Sequence, residues 1–275
     1  MTGEVRVEMD AEGVAWVTID REAKLNSLNP VLMREFVACF AALSAMSELR
    51  AVVLTGAGYR AFVGGADIHV MAGLADAAAA RHFIGQVHAC CQAVRDCPVP
   101  VIARICGWTL GAGLELAASC DLRIAADTAQ FGMPELRVGI PSVIEAALLP
   151  GLIGWGRTRR LLLLGETIDA FEAERWGLVE RAVEYPELDA TVEAWLAHLA
   201  AAGPRAMRLQ KALIRRWEEL PMRQAIAAGV ESFAAAWESD EPRHMLGSFA
   251  RRAHVRERSS SLRSDGSPGD PSERR

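Results

Sequence analysis

Apolar residues alternate or run together over residues 5–9 and 14–19, on either side of Ala11-Glu12-Gly13, which predicts a β-hairpin. Asn29-Pro30 then reads as an N-cap with proline at the first helical position, and Leu32, Phe36, Phe40 and Leu43 follow at helical spacing. Residues 51–55 form a short buried strand that closes on Gly56-Ala57-Gly58. After a glycine-rich loop, Phe83, Ile84, Val87, Cys91 and Val94 share one face of a helix over 77–95. A strand over 99–106, a helix opening at Gly111 and a strand over 122–126 come next. Strand and helix thus alternate from residue 5 to about 180, the order of an α/β protein.

From 189 to 252 the pattern is helical only, with Trp195, Leu199, Met207, Leu213, Ile226, Phe233, Trp237 and Phe249. An appended helical region of this kind is expected to pack on the core or on another subunit. The stretch 255–275, rich in Ser, Arg, Gly and Pro, buries little and is expected to be disordered. The expected division is therefore a core over 1–188, a helical region over 189–254 and a tail over 255–275.

Composition narrows the function classes. The chain has 275 residues, 51% hydrophobic and 24% charged, the balance of an ordinary globular protein with a large core. A net charge of -5 gives no basic face for nucleic acid. No apolar run nears the roughly 20 residues of a membrane span, and the first ten residues fit neither a signal nor a transit peptide. The six cysteines (Cys39, Cys90, Cys91, Cys97, Cys106, Cys120) fall in apolar segments without a C-x-x-C pair, which reads as reduced core residues in a cytoplasmic protein. The histidines are scattered, so no metal site is expected.

Candidate chemistry rests on two carboxylates in apolar surroundings. Glu115 lies in Gly107-Trp108-Thr109-Leu110-Gly111-Ala112-Gly113-Leu114-Glu115, where a buried strand ends and a helix opens on small residues. The first N–H groups of a helix lack partners and favour negative charge, either a phosphate or an oxyanion forming on a carbonyl. Glu115 either serves what binds there or only complements the helix dipole. Glu135, after Pro134, falls in an extended or turn segment with few local partners, where it is expected to hold its proton readily. Two carboxyls in one apolar cleft titrate differently, which lets one act as acid and the other as base.

Three further motifs have local readings. Gly64-Gly65-Ala66 is a second small-residue turn, presenting either another N–H or only a bend, and Asp67 after it fits an N-cap. Ser142-Val143-Ile144-Glu145 fits a capping box opening the helix of Leu148 and Leu149, with Glu145 as its reciprocal partner instead of a third active-site carboxylate. Gly111-x-Gly113 after a strand invites comparison with a dinucleotide loop. That match is poor, because Leu116 stands where Gly or Ala is needed and Asp127 comes too early for the acidic partner.

At these residues the chain resembles the crotonase superfamily, the enoyl-CoA hydratase/isomerase group. The resemblance is carried by Lys24-Leu25-Asn26-Ser27-Leu28 and by the stretches 61–71, 107–121 and 131–141. Trp155-Gly156-Arg157, Leu164-Gly165-Glu166 and residues 173–179 add to it, so that it covers nearly all of 5–252. It implies an α/β spiral of strand-strand-helix units, and a C-terminal helical region that makes homotrimers, often stacked as hexamers. It also implies an acyl-CoA thioester as substrate, with its oxygen between the backbone N–H groups of Ala66 and Ala112. Lys24, Leu25, Ala66, Asp67 and Ile68 fall where relatives hold the CoA adenine and phosphates. Glu115 and Glu135 correspond to the two glutamates of hydratases, whereas isomerases commonly keep only the second. The chain departs from the family at Ala112, often glycine, and at Pro141-Ser142-Val143-Ile144-Glu145, which replaces a glycine-rich stretch beside the acyl pocket.

The resemblance thus implies hydration of a trans-2-enoyl-CoA, with Glu115 helping to take a proton from water and Glu135, protonated at the start, delivering one to the α-carbon. No cofactor is implied, coenzyme A being part of the substrate. Isomerisation or thioester hydrolysis on the same fold, a nicotinamide enzyme, and a non-catalytic acyl-CoA-binding protein are the alternatives.

Overall fold

A hairpin starts the chain: β1 (Glu4–Met9) runs antiparallel to β2 (Val14–Asp20), with Glu4 opposite Asp20 and Met9 opposite Ala15. The computed structural model describes residues 3–251, so the expected tail over 255–275 lies outside the described residues. Asn29 caps α1 (Pro30–Ser44) by accepting the Leu32 N–H, and Leu32, Phe36, Phe40 and Leu43 are buried as their spacing predicts.

Beyond α1 the chain repeats one arrangement. β3 (Ala51–Gly56) leads through a bend to β4 (Ala61–Val63) and then to α2 (Ile68–Ala72) and α3 (Ala77–Arg95). β5 (Val101–Ile105), β6 (Trp108–Leu110) and α4 (Ala112–Ser119) follow in the same order. β7 (Leu122–Ala126) and β8 (Gln130–Gly132) lead through two 3-10 turns, Glu135–Val138 and Ile144–Leu148, to α5 (Leu149–Leu164). The first strand of each unit extends a main sheet and the second extends a smaller one, so each unit advances both sheets by a strand. This is the strand-strand-helix spiral that the resemblance implies. β9 (Thr167–Asp169) closes the small sheet antiparallel to β8, and α6 (Ala170–Trp176) and β10 (Arg181–Val183) complete the main sheet in the order β1-β2-β3-β5-β7-β10.

The central strands are parallel and covered on both faces, which explains their unbroken apolar runs. One face packs on α1 and α3 through Leu32, Phe36, Val87 and Cys91, and the other buries Val53, Ile102 and Ile124. α7 (Leu188–Ala200) covers that second face with Leu188 and Val192, while Trp195 and Leu199 pack beside them. Asp189 also pairs with Arg104, and Arg50 donates to the carbonyls of Ala200 and Ala202. The compact units accordingly divide after Ala202 and not at 188, because the helical period that sets α7 apart in sequence does not say which surface it covers.

The second unit holds α8 (Pro204–Glu219), α9 (Met222–Ala236) and helical turns over 241–251. Inside it Trp217 donates its indole N–H to the Ala225 carbonyl, and Met222, Ile226, Val230 and Phe233 form an exposed stripe along α9. The six cysteines form no disulfide among the described residues; five are buried and Cys39 is half-buried. Among the described residues no helix is long and apolar enough to cross a membrane.

Candidate active site

The start of α4 is shaped by two glycines. Gly111, its N-cap, has φ +51°, and a Cβ there would lie 2.4 Å from Glu135 Oε1. A side chain at Gly113 would meet the Val63 carbonyl oxygen at 1.9 Å, so β4 and α4 approach only because the residue is glycine. The consequence is that the first N–H groups of α4, Glu115 in its first turn and the Glu135 carboxyl gather at one place.

Glu115 is 3% exposed, and its Oε1 accepts the backbone N–H of Ala146 at 3.2 Å. Burial pushes its carboxyl up to about 8; the nearby charges of Glu135 and Glu145 push the same way, and the Ala146 N–H opposes them. At neutral pH Glu115 therefore keeps its proton.

Glu135 opens a 3-10 turn, Glu135–Val138, the turn alternative of the sequence reading, and its Oε2 accepts the Ser142 hydroxyl at 2.8 Å. That bond corrects the capping-box reading. The residue before the Ile144–Leu148 turn is Val143, with no side-chain cap, so Ser142 is left to hold Glu135. Glu145 is buried and accepts from His88 Nδ1 at 2.8 Å and Gln92 Nε2 at 2.9 Å.

Both glutamates line a cavity of about 630 Å³ together with Ala66 and Ala112. Ala112 is the first residue of α4, where a helix has no acceptor for the N–H. Ala66 forms an isolated parallel bridge with Leu28, made by Leu28 N–H to the Gly65 carbonyl and Asp67 N–H to the Leu28 carbonyl. The bridge brackets Ala66 without using its own N–H. Asn26 holds this loop in place: it is buried in the left-handed region (φ 56°), accepts the Arg21 N–H and donates to the carbonyls of Ala57 and Ala61. The rest of the wall is mainly apolar, with Met71, Phe83, Ile84, Leu110, Val138 and Val143, and Arg81 and Arg137 add two cations.

Not every candidate binding residue reaches this cavity. Ile68 lines it, and Leu25 packs against its Gly64 edge, whereas Lys24 is exposed and outside the lining. Asp67 is also outside: its carboxylate pairs with Arg21 at 2.6 Å and caps α2 through the N–H groups of His69 and Val70, the N-cap role its sequence position predicts. Gly111-x-Gly113 serves close packing and the helix start, not a dinucleotide turn. His88 was not picked out from the sequence, because it is brought in by a contact 57 positions away with no local pattern to mark it.

The enoyl-CoA hydratase/isomerase family model matches residues 9–256 of the chain. The chain is 34% identical over 251 residues to the short-chain-enoyl-CoA hydratase of Clostridium acetobutylicum, covering 90% of this chain and 96% of that protein. It is 32% identical over 242 residues to the crotonyl-CoA hydratase of Syntrophomonas wolfei, covering 88% and 93%. The crystal structure of an enoyl-CoA hydratase from Bacillus anthracis superposes with a TM-score of 0.86 at 31% identity, covering 90% of this chain and 96% of that one. With the spiral, the paired glutamates and these likenesses together, the chain belongs to the enoyl-CoA hydratase/isomerase family.

Proposed function

We propose that the protein adds water across the double bond of a trans-2-enoyl-CoA to give a 3-hydroxyacyl-CoA. The observation that carries this reading is the convergence of Glu115, Glu135 and the unused N–H groups of Ala66 and Ala112 on one mainly apolar cavity. The hydratase names of the relatives in Clostridium acetobutylicum and Syntrophomonas wolfei support it. Two glutamates at the cavity favour hydration over isomerisation.

In this reading the thioester oxygen lies between the two N–H groups, and water is held by the two carboxyls. The water oxygen bonds to the β-carbon, the double bond's electron pair moves towards the thioester oxygen, and the resulting enolate is stabilised by both donors. Losing one such donor costs about 3 kcal/mol of barrier. The carboxyl pair takes one proton from water and gives one to the α-carbon, so it ends each turnover as it began. The proton resting on Glu115 at neutral pH supplies the acid form of the pair. Water and substrate provide every atom, so the reaction needs no metal or redox cofactor. On the family resemblance, Lys24 and Leu25 would contact the CoA part of the substrate. The exposed stripe of Met222, Ile226, Val230 and Phe233 supports assembly into a trimer or hexamer.

The test is a panel of enoyl-CoA thioesters with products identified by mass, run on the protein and on its Glu115→Gln and Glu135→Gln variants. The wild type should yield the 3-hydroxyacyl-CoA. Each variant should lose about 10²-fold or more in kcat while acyl-CoA affinity changes far less. A shifted alkene or free CoA thiol as sole product would replace hydration with isomerisation or hydrolysis. Full turnover by both variants would remove the glutamates from the chemistry.

A further inference from the structure

The Ile144–Leu148 turn that follows Glu135 carries a buried charged anchor. Ile144, a β-branched residue, is held at φ +40°, a left-handed conformation that costs such a residue about 1–3 kcal/mol and persists only where its surroundings enforce it. The next residue supplies the enforcement. Glu145 is 5% exposed, and its Oε1 is fastened to α3 by His88 Nδ1 and Gln92 Nε2. Its Oε2 is equally buried and has no hydrogen-bond partner among the described residues. One residue further on, the Ala146 N–H is shared between the Val143 carbonyl at 3.0 Å and Glu115 Oε1 at 3.2 Å. The same turn thus grips α3 by a side chain and Glu115 by its backbone.

We infer that Glu145 and His88 are a positioning pair for Glu115, fastening the Ile144–Leu148 turn to α3 so that the Ala146 N–H fixes one oxygen of the catalytic carboxyl. The inference rests on the reading of Glu115 as part of the acid–base pair. A buried carboxylate with one satisfied oxygen is expensive to keep for packing alone, and no bond of the reaction needs it as a third carboxyl. Its charge also has an electrostatic use. It lies near enough to Glu115 to help hold the proton there, in the same direction as Glu135. The other titratable groups facing this turn are few. α3 brings His88 and the buried Cys91 thiol, α4 brings Glu115, and the preceding turn brings Glu135. The arginines of α5 are engaged elsewhere: Arg157 with the Trp176 carbonyl, Arg160 with Glu166 and Glu172, and Arg159 over Trp155. His88, with its side chain 49% exposed, links the buried carboxylate to solvent.

The test is the pH profile of kcat for full-length wild type, Glu145→Gln, His88→Ala, His88→Asn and Glu115→Gln, with thermal melts alongside. Glutamine at 145 keeps an acceptor for both donors but removes the charge, so the alkaline limb of the profile should move down by roughly one pH unit. Alanine at 88 removes an anchor and should lower kcat by roughly tenfold, with KM changed little, because Glu115 is less well held. Asparagine at 88 restores a donor and should recover most of that loss. An unmoved limb in Glu145→Gln, or wild-type kcat in His88→Ala, overturns the inference even if the melts shift, since loosened packing alone explains a melt. Full activity in Glu115→Gln instead overturns the reading of Glu115 on which the inference stands.

Discussion

Replacing Glu115 by glutamine should stabilise the protein, and by an amount that grows with pH. The unfolded carboxyl releases its proton near 4.5, whereas burial in the folded site holds the proton to about 8. Between these values the folded chain binds more protons than the unfolded one, so stability falls as pH rises through that window. The gap of 8 − 4.5 = 3.5 units, at about 1.36 kcal/mol per unit, is a handicap of ~5 kcal/mol once the pH is well above 8. At pH 5 the same relation leaves less than ~1 kcal/mol, and at pH 8 itself about 4 kcal/mol. Glutamine has no proton to retain and can still accept from the Ala146 N–H. The variant's advantage should therefore grow by roughly 3 to 4 kcal/mol between pH 5 and pH 8. Urea unfolding of both proteins at several pH values gives this difference directly. Protein concentration must be held fixed, because the proposed assembly would make apparent stability concentration-dependent. A difference that stays constant across the range would refute the argument, since it would mean that Glu115 ionises alike in the folded and unfolded chain.

The remaining predictions concern the backbone donors, the helix contact and assembly. Ala112→Pro should abolish turnover in steady-state assays while Ala112→Gly keeps it, because proline removes the proposed donor yet suits the first position of a helix; an active, folded proline variant would dismiss this N–H. Gly113→Ala should cost about 3 kcal/mol in denaturant unfolding, since its methyl meets the Val63 carbonyl and one backbone must move; an unchanged midpoint would show that β4 and α4 separate freely. Phe233→Asp, in the exposed α9 stripe, should yield a smaller species in sedimentation, and an unchanged oligomer would take that stripe out of the interface.

Sequence alone determined what acts within a few residues. The period of α1, its Asn29 cap and Pro30, the parallel strands read as apolar runs, and the Asp67 cap all follow from local patterns, because side-chain direction and orphan N–H groups are set by near neighbours. The two glutamates were also legible, each as a charge beside a glycine-bearing turn in an apolar stretch. The three-residue strands β6 and β9 were not, since so short a strand has no period to read. What only the tertiary structure decided was set by distance across the fold. Glu145 meets His88 from 57 positions away. α7 belongs with the sheet although its sequence is continuous with the helices after it. The proton rests on Glu115 because burial depends on every element packed around a carboxyl, and no window of neighbouring residues contains that information.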